Sequence, residues 1–179
     1  MLFTWITFKI KAFIYKFRAF KFFYFFKTLD IVIGNHLIIR GGRGKNTFGK
    51  NLKILDNCIF ECQNNHSKLE IGNNCFFSYG IIMACTTELK LGDNVWIGEY
   101  TSIRDSTHTF SINTPIGSLE DIRQSVSIGN NVWIGRGCLI MPGTVVNDNV
   151  IIAANSVVKG ICQPNSVYGG CPAKLIKNL

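Results

Sequence analysis

Charge is scarce in this sequence of 179 residues. Only 17% of its side chains are Asp, Glu, Lys or Arg, and 47% are hydrophobic, whereas an average soluble domain is about 25% charged. That composition excludes a disordered or purely solvating chain. Histidine is scarcer still: His36, His66 and His108 are the whole supply, and they are widely separated along the chain. No close pair exists of the kind a three-histidine zinc site uses, so no metal is expected. Seven cysteines (Cys58, Cys62, Cys75, Cys85, Cys138, Cys162, Cys171) form no C-x-x-C pair and make an odd count. A disulfide framework and a zinc cluster are both excluded on that ground, leaving small core side chains in a reducing cytoplasm.

Over 1–30 a long uncharged run is also missing. The longest is Met1 to Phe8, with no small-residue cleavage site after it, and a Lys or Arg recurs every few positions from Lys9 to Lys27. Neither a secretory signal nor a membrane span fits. What is present is a helical stripe of Phe3, Ile6, Ile10, Phe13, Phe17, Phe20 and Tyr24. Nine of the fourteen phenylalanines lie between Phe3 and Phe26, and residues 1–30 hold six basic side chains against Asp30, a net of +5 of the chain's +8. The predicted arrangement is a basic aromatic amphipathic helix over 1–30. Its residues 1–28 either dock on the inner face of a membrane or pack across the open end of the domain. Because the remaining body is close to neutral, a nucleic-acid partner is not expected.

The body, residues 31–179, is dominated by a period of six. Aliphatic anchors recur at Ile128, Ile134, Ile140, Val146, Ile152 and Val158. Each is followed at the fourth position by a small or β-branched side chain: Val132, Cys138, Thr144, Val150, Ser156 and Cys162. The same beat runs through Leu91, Ile97 and Ile103, with Val95, Thr101 and Thr107 in the second slot. Ile71 and Phe77 extend it upstream, with Cys75 and Ile81 as their partners. The octapeptide LGDNVWIG (91–98) returns as IGNNVWIG (128–135). A fixed period means a solenoid, and a hexapeptide suits a short strand plus a turn, three of them closing a triangular coil. Gly92, Gly98, Gly129 and Gly135 with Asn94, Asn130 and Asn131 are expected to make the turns. Between 31 and 70 only scattered anchors, Ile33, Ile39 and Ile54, can be placed.

The beat breaks after Ile103 and resumes at Ile128, leaving a loop at about 104–127 that contains His108. Long loops in compact repeats are commonly functional. An imidazole is the side chain suited to take a proton from a hydroxyl near neutral pH, which acyl transfer to an alcohol requires.

The [Leu/Ile]-Gly-x-x-x-x repeats resemble the hexapeptide-repeat acyltransferases, whose fold is an all-β, left-handed parallel β-helix. Asp105-Ser106-Thr107-His108 is similar to the Asp-His-Asp-His stretch of the surface-polysaccharide O-acetyltransferases, departing from it at Ser106 and Thr107. The resemblance implies an acetyl-CoA-dependent O-acetyltransferase of a capsule or O-antigen sugar, with His108 as catalytic base. Asp105 is the nearest acidic candidate to orient it, with Glu99, Glu120 and Asp121 as rivals. By similarity to the galactoside and maltose acetyltransferases, Trp133, Arg136, Ala154 and Lys159 would line the acetyl-CoA groove. The segment Gly170-Cys171-Pro172-Ala173-Lys174-Leu175-Ile176-Lys177 resembles the family's closing motif and brings Lys174 and Lys177 to the nucleotide phosphates. Ser78 stands where the galactoside enzymes hold the acceptor with Asn. A homotrimer with sites between neighbouring solenoids is implied as well. The alternatives are N-acetylation of an amino-sugar nucleotide and a non-catalytic scaffold, while the β-helical zinc hydratase fails for want of a close histidine pair.

Overall fold

In the computed structural model, which describes Ile14 and residues 30–41 and 46–179, the six-residue beat becomes the winding of a left-handed parallel β-helix. The predicted helix over 1–30, Ile14 and Asp30 apart, lies outside the described residues. Each coil gives one short strand to each of three parallel sheets. The first face stacks Ile31–Ile33, Leu52–Ile54, Phe76–Phe77, Trp96–Ile97, Trp133–Ile134, Val150–Ile152 and Ser166–Gly170. The second stacks Ile38–Gly41, Ile59–Cys62, Ile82–Cys85, Ser102–Arg104, Leu139–Ile140 and Val157–Val158; the third runs from Thr47–Phe48 to Ile161–Cys162. The strand Ala173–Asn178 then folds back antiparallel on Ser166–Gly170 and closes the C-terminal end of the first face.

All anchors from Ile71 to Val158 point inward and are buried, as are their second-slot partners except Thr107. Alternation along each strand puts the anchor in the core and its neighbour outside, so Trp133 is exposed beside buried Ile134. The second slot is small because it sits at the tight vertex. There, too, its donor reaches a carbonyl of the next coil: Thr101 Oγ1 to Gly135 O at 2.9 Å, Cys138 Sγ to Ala153 O at 3.2 Å and Cys58 Sγ to Ser78 O at 3.1 Å.

Of the expected turn residues, Asn94 and Asn131 take left-handed backbone, whereas Gly92, Gly98, Gly129 and Gly135 do not. Asn51, Asn74, Asn94, Asn131, Asn149 and Asn165 all have φ between 53° and 58°. They form a ladder at one vertex, with Asn131 Nδ2 donating to Asn149 Oδ1 at 2.7 Å and Asn149 Nδ2 to Asn165 Oδ1 at 2.8 Å. The glycine of the I-G pair serves a different purpose, close approach of coils. A Cβ on Gly135 would lie 2.6 Å from the backbone nitrogen of Ala154. Gly135→Ala is therefore expected to cost on the order of 1–3 kcal/mol by forcing two coils apart, read as a lowered midpoint in urea; an unchanged midpoint would remove close stacking as the reason for glycine.

Register explains the obscure upstream half. Along the second face Ile38, Ile59, Ile82, Ser102, Leu139 and Val157 stack in one column. Of the steps between them, only that from Leu139 to Val157 is three undistorted hexapeptides. The early coils carry extra residues and enclose the larger Phe60, Phe77 and Met83. The step from Ser102 to Leu139 is the longest because it contains the inserted loop. Thr107 consequently leaves the solenoid: Ser106–Thr107 pairs antiparallel with Ile122–Arg123 as the neck of that loop.

Candidate active site

The loop departs from the vertex between the second and third faces, immediately after Ser102–Arg104, and returns at Val126. Beyond its neck, Thr109 Oγ1 donates to the Glu120 carbonyl at 2.6 Å and Ser111 bridges Thr114. His108 sits just past the neck with its side chain 74% exposed. Its Nδ1 lies 2.8 Å from Asp121 Oδ1. An ionised carboxylate only accepts, so Nδ1–H is the donor, and in the neutral ring the lone pair is then on Nε2, the arrangement a general base requires.

Asp105 does not touch the imidazole it was expected to orient. The chain bends at Asp105, and its carboxylate turns into the wall, fully buried, where it accepts backbone N–H bonds from Thr86, Thr87 and Glu88 at 2.8, 2.6 and 2.8 Å. Asp121, one of the three rivals, reaches His108 because the antiparallel neck brings residue 121 opposite residue 108, a proximity that spacing along the chain does not reveal. The other two are engaged elsewhere, Glu99 with Arg136 (Oε1 to Nε, 3.3 Å) and Glu120 through its backbone.

Trp133, Arg136 and Ala154 come together on the first face and its vertex with the second. They line a groove of about 320 Å³ with Gly98, Glu99 and Gly135. The small residues Gly98, Gly135, Ala153 and Ala154 line it together with Ile151 and Ile152, and Arg136 and Glu99 bring charge to it. A second, larger depression of about 470 Å³ adjoins it through Trp133 and extends over Trp96 and Ile151 to Leu179. Trp96, 58% exposed and in register with Trp133, escaped the sequence reading, although the duplicated octapeptide equates the two tryptophans. Ser78 stacks in the same row as Gly98 and Gly135, its N–H donating to Ile97 O at 3.0 Å, and lines neither depression. Lys174 and Lys177 lie on the returning strand at the end of this face, both exposed.

His108 and Lys159 are elsewhere. Lys159 follows Val157–Val158 and so occupies the vertex from which the loop departs, two coils along. That vertex is the one opposite the first face. A coil edge of one hexapeptide spans about 20 Å, so a single solenoid keeps His108 and the groove apart. Among the described residues no three His, Cys, Asp or Glu side chains converge on a metal position, and no helix is long and apolar enough to cross a membrane.

Comparison with known proteins agrees with this architecture. The profile of the bacterial transferase hexapeptide (six repeats) matches residues 125–160. Galactoside O-acetyltransferase of Escherichia coli (strain K12) is 30% identical over 113 residues, 63% of this chain and 55% of that protein. A candidate O-acetyl transferase of lipopolysaccharide biosynthesis from the same organism, WbbJ, is 34% identical over 103 residues, 53% of each chain. The chain thus spans about half the length of these relatives. In fold it is similar to the solved structure of AntD, an N-acyltransferase from Bacillus cereus in complex with dTDP and 3-hydroxybutyryl-CoA. That likeness has a TM-score of 0.73 and 22% identity, covering 83% of this chain and 80% of the other. In repeat, relatives and coil geometry alike, the chain is similar to the hexapeptide-repeat transferases, and residues 125–160 carry their repeat.

Proposed function

We propose that the protein is an acetyl-CoA-dependent O-acetyltransferase acting on a sugar hydroxyl in the building of a bacterial surface polysaccharide. The observation that carries this reading is the Asp121–His108 pair, which leaves a free imidazole nitrogen on an inserted loop of a β-helix that also bears a groove lined by small residues. The hydroxyl attacks the thioester carbonyl while His108 Nε2 takes its proton; the tetrahedral intermediate then collapses and expels the thiol of CoA. Arg136, Ala154 and Trp133 hold the pantetheine arm, and Lys174 and Lys177 meet the phosphates as point charges.

Base and groove lie at opposite edges of one solenoid, so the working site combines the loop of one copy with the groove of another, in a homotrimer. Phe110, Ile112 and Ile116 on the loop, each more than 70% exposed, supply apolar surface for that contact. Lys159, on the loop's vertex, then approaches the donor from the second copy. The basic aromatic segment 1–28 suits a place at the inner face of the membrane, where glycans are built on lipid carriers. The sugar acceptor is favoured by the two O-acetyltransferase relatives. An amino-sugar nucleotide acceptor is the second reading, favoured by the dTDP-bound N-acyltransferase of like fold.

The test is thiol release from acetyl-CoA by the full chain against a panel of sugars, glycans and amino-sugar nucleotides, with light scattering on the same sample. Alkali-labile acetyl esters and a mass three times 20.1 kDa are expected. Alkali-stable amides would shift the assignment to N-acetylation, and absence of any acetylated product would overturn the enzymatic reading.

A further inference from the structure

The mechanism uses His108 and Asp121 and leaves one charged side chain unexplained: Asp105, fully buried at the foot of the loop. Isolated burial of a carboxylate is costly, and here it is offset by three backbone N–H donors from 86–88, on the preceding coil. The same residue holds both stems of the loop. Its own backbone N–H donates to Ala84 O at 3.4 Å at the outgoing stem. Its carbonyl accepts the Gln124 N–H at 2.8 Å at the returning stem, and Gln124 O in turn accepts from Gly143 N at 3.0 Å.

A side-chain chain of hydrogen bonds runs alongside. Thr86 Oγ1 donates to Gln63 Oε1 at 2.9 Å, so its contact with Ser106 Oγ at 3.0 Å is one in which Ser106 donates. Ser106 is the first residue of the neck and pairs across it with Arg123. The solenoid wall and the two stems therefore meet at one residue, Asp105, next to the neck and less than one hexapeptide from the imidazole.

We propose that Asp105 is a positioning residue: its buried carboxylate locks it to the preceding coil, its main-chain groups hold both stems of the inserted loop, and together they fix where His108 stands. The inference rests on the catalytic reading of His108. A carboxylate with three N–H donors accepts only one orientation, so the neck leaves the wall in a single direction and the short reach from Ser106 to His108 adds little freedom. Asparagine keeps the shape but turns one acceptor into a donor facing an N–H, which opposes the anchor without emptying the site.

Asp105→Asn in the full chain is the experiment. Amide hydrogen exchange is expected to quicken across 106–123 while 128–158 keep their protection. Turnover is expected to fall about 10²-fold from misplacement of the base, with the KM for acetyl-CoA within about twofold of wild type. Unchanged exchange across 106–123 overturns the proposal, as does a rise in KM that accounts for the whole loss. If the wild-type chain transfers no acetyl group, the catalytic reading fails and the exchange result alone decides the anchor. Should the variant not fold, the wild-type amides of Thr86, Thr87 and Glu88 decide: protection equal to that of the core strands supports the anchor, and exchange at loop rates overturns it.

Discussion

Replacing His108 with alanine is expected to lower turnover by about 10²- to 10⁴-fold, the usual contribution of a positioned general base. Because the ring is hydrogen-bonded to Asp121 and stands 74% exposed, its removal leaves no buried cavity. Thermal stability and the KM for acetyl-CoA should both stay at their wild-type values. Retention of turnover within a few-fold would refute the role. The same variant tests the composite site. His108→Ala keeps an intact groove, and Arg136→Glu keeps an intact loop, so each alone is inactive. In trimers assembled from equal amounts of both, a loop from one chain meets a groove from the next with both parts intact at about a quarter of the interfaces. Recovery of about a quarter of wild-type activity is expected on co-refolding, whereas a site contained in one chain gives none.

The contrast between Asp105 and Asp121 shows what could be read in advance. The solenoid was legible from 71 onward because each hexapeptide repeats the same anchor and slot, and periodicity is a property of the chain itself. The insertion was legible as a gap in that beat, and His108 as the chemically capable residue inside it. Its partner was not, since the pairing of 106–107 with 122–123 is set by closure of a loop and carries no period. The early coils were obscured by their added residues. Ile33, Ile54, Phe77 and Ile97 are buried anchors stacked in one column, yet none of the steps between them is a whole number of hexapeptides. The glycines were assigned to turns on composition, yet Gly135 answers to the backbone of the neighbouring coil. The groove residues split between two vertices because a six-residue beat places every third repeat on one face. Trp133 and Ile151, three repeats apart, share a face, and Lys159, beyond the next strand, falls on another.

Raising the pH from about 9 to about 11 is expected to destabilise the solenoid strongly. Burial pushes the thiols of Cys58, Cys75 and Cys162 from the ordinary value of 9.0 to about 11, and burial raises that of Cys138 as well. A thiol is neutral when protonated, so the folded chain holds these protons through an interval in which the unfolded chain has released them. The unfolded state then binds fewer protons, and stability falls as pH rises through that interval, levelling off above the folded-state value. Each thiol contributes about 1.4 kcal/mol per pH unit, so three together lower stability by about 4 kcal/mol per unit. Two units thus remove about 8 kcal/mol, half or more of a typical total of about 5–15 kcal/mol. The donors make the loss cooperative: Cys58 Sγ–H and Cys75 Sγ–H each bridge to a carbonyl of the next coil, Ser78 O at 3.1 Å and Gly92 O at 3.3 Å, and a thiolate there faces a bare oxygen. Urea midpoints measured at pH 8, 9, 10 and 11 should be level to 9 and then drop. Cys162→Ala should reduce the slope by one thiol's share, with its own cavity cost appearing equally at every pH. A midpoint that stays level to pH 11 would mean that the folded chain releases these protons as readily as the unfolded one, and the thiols would then have to be accessible to water at the vertices of the coil.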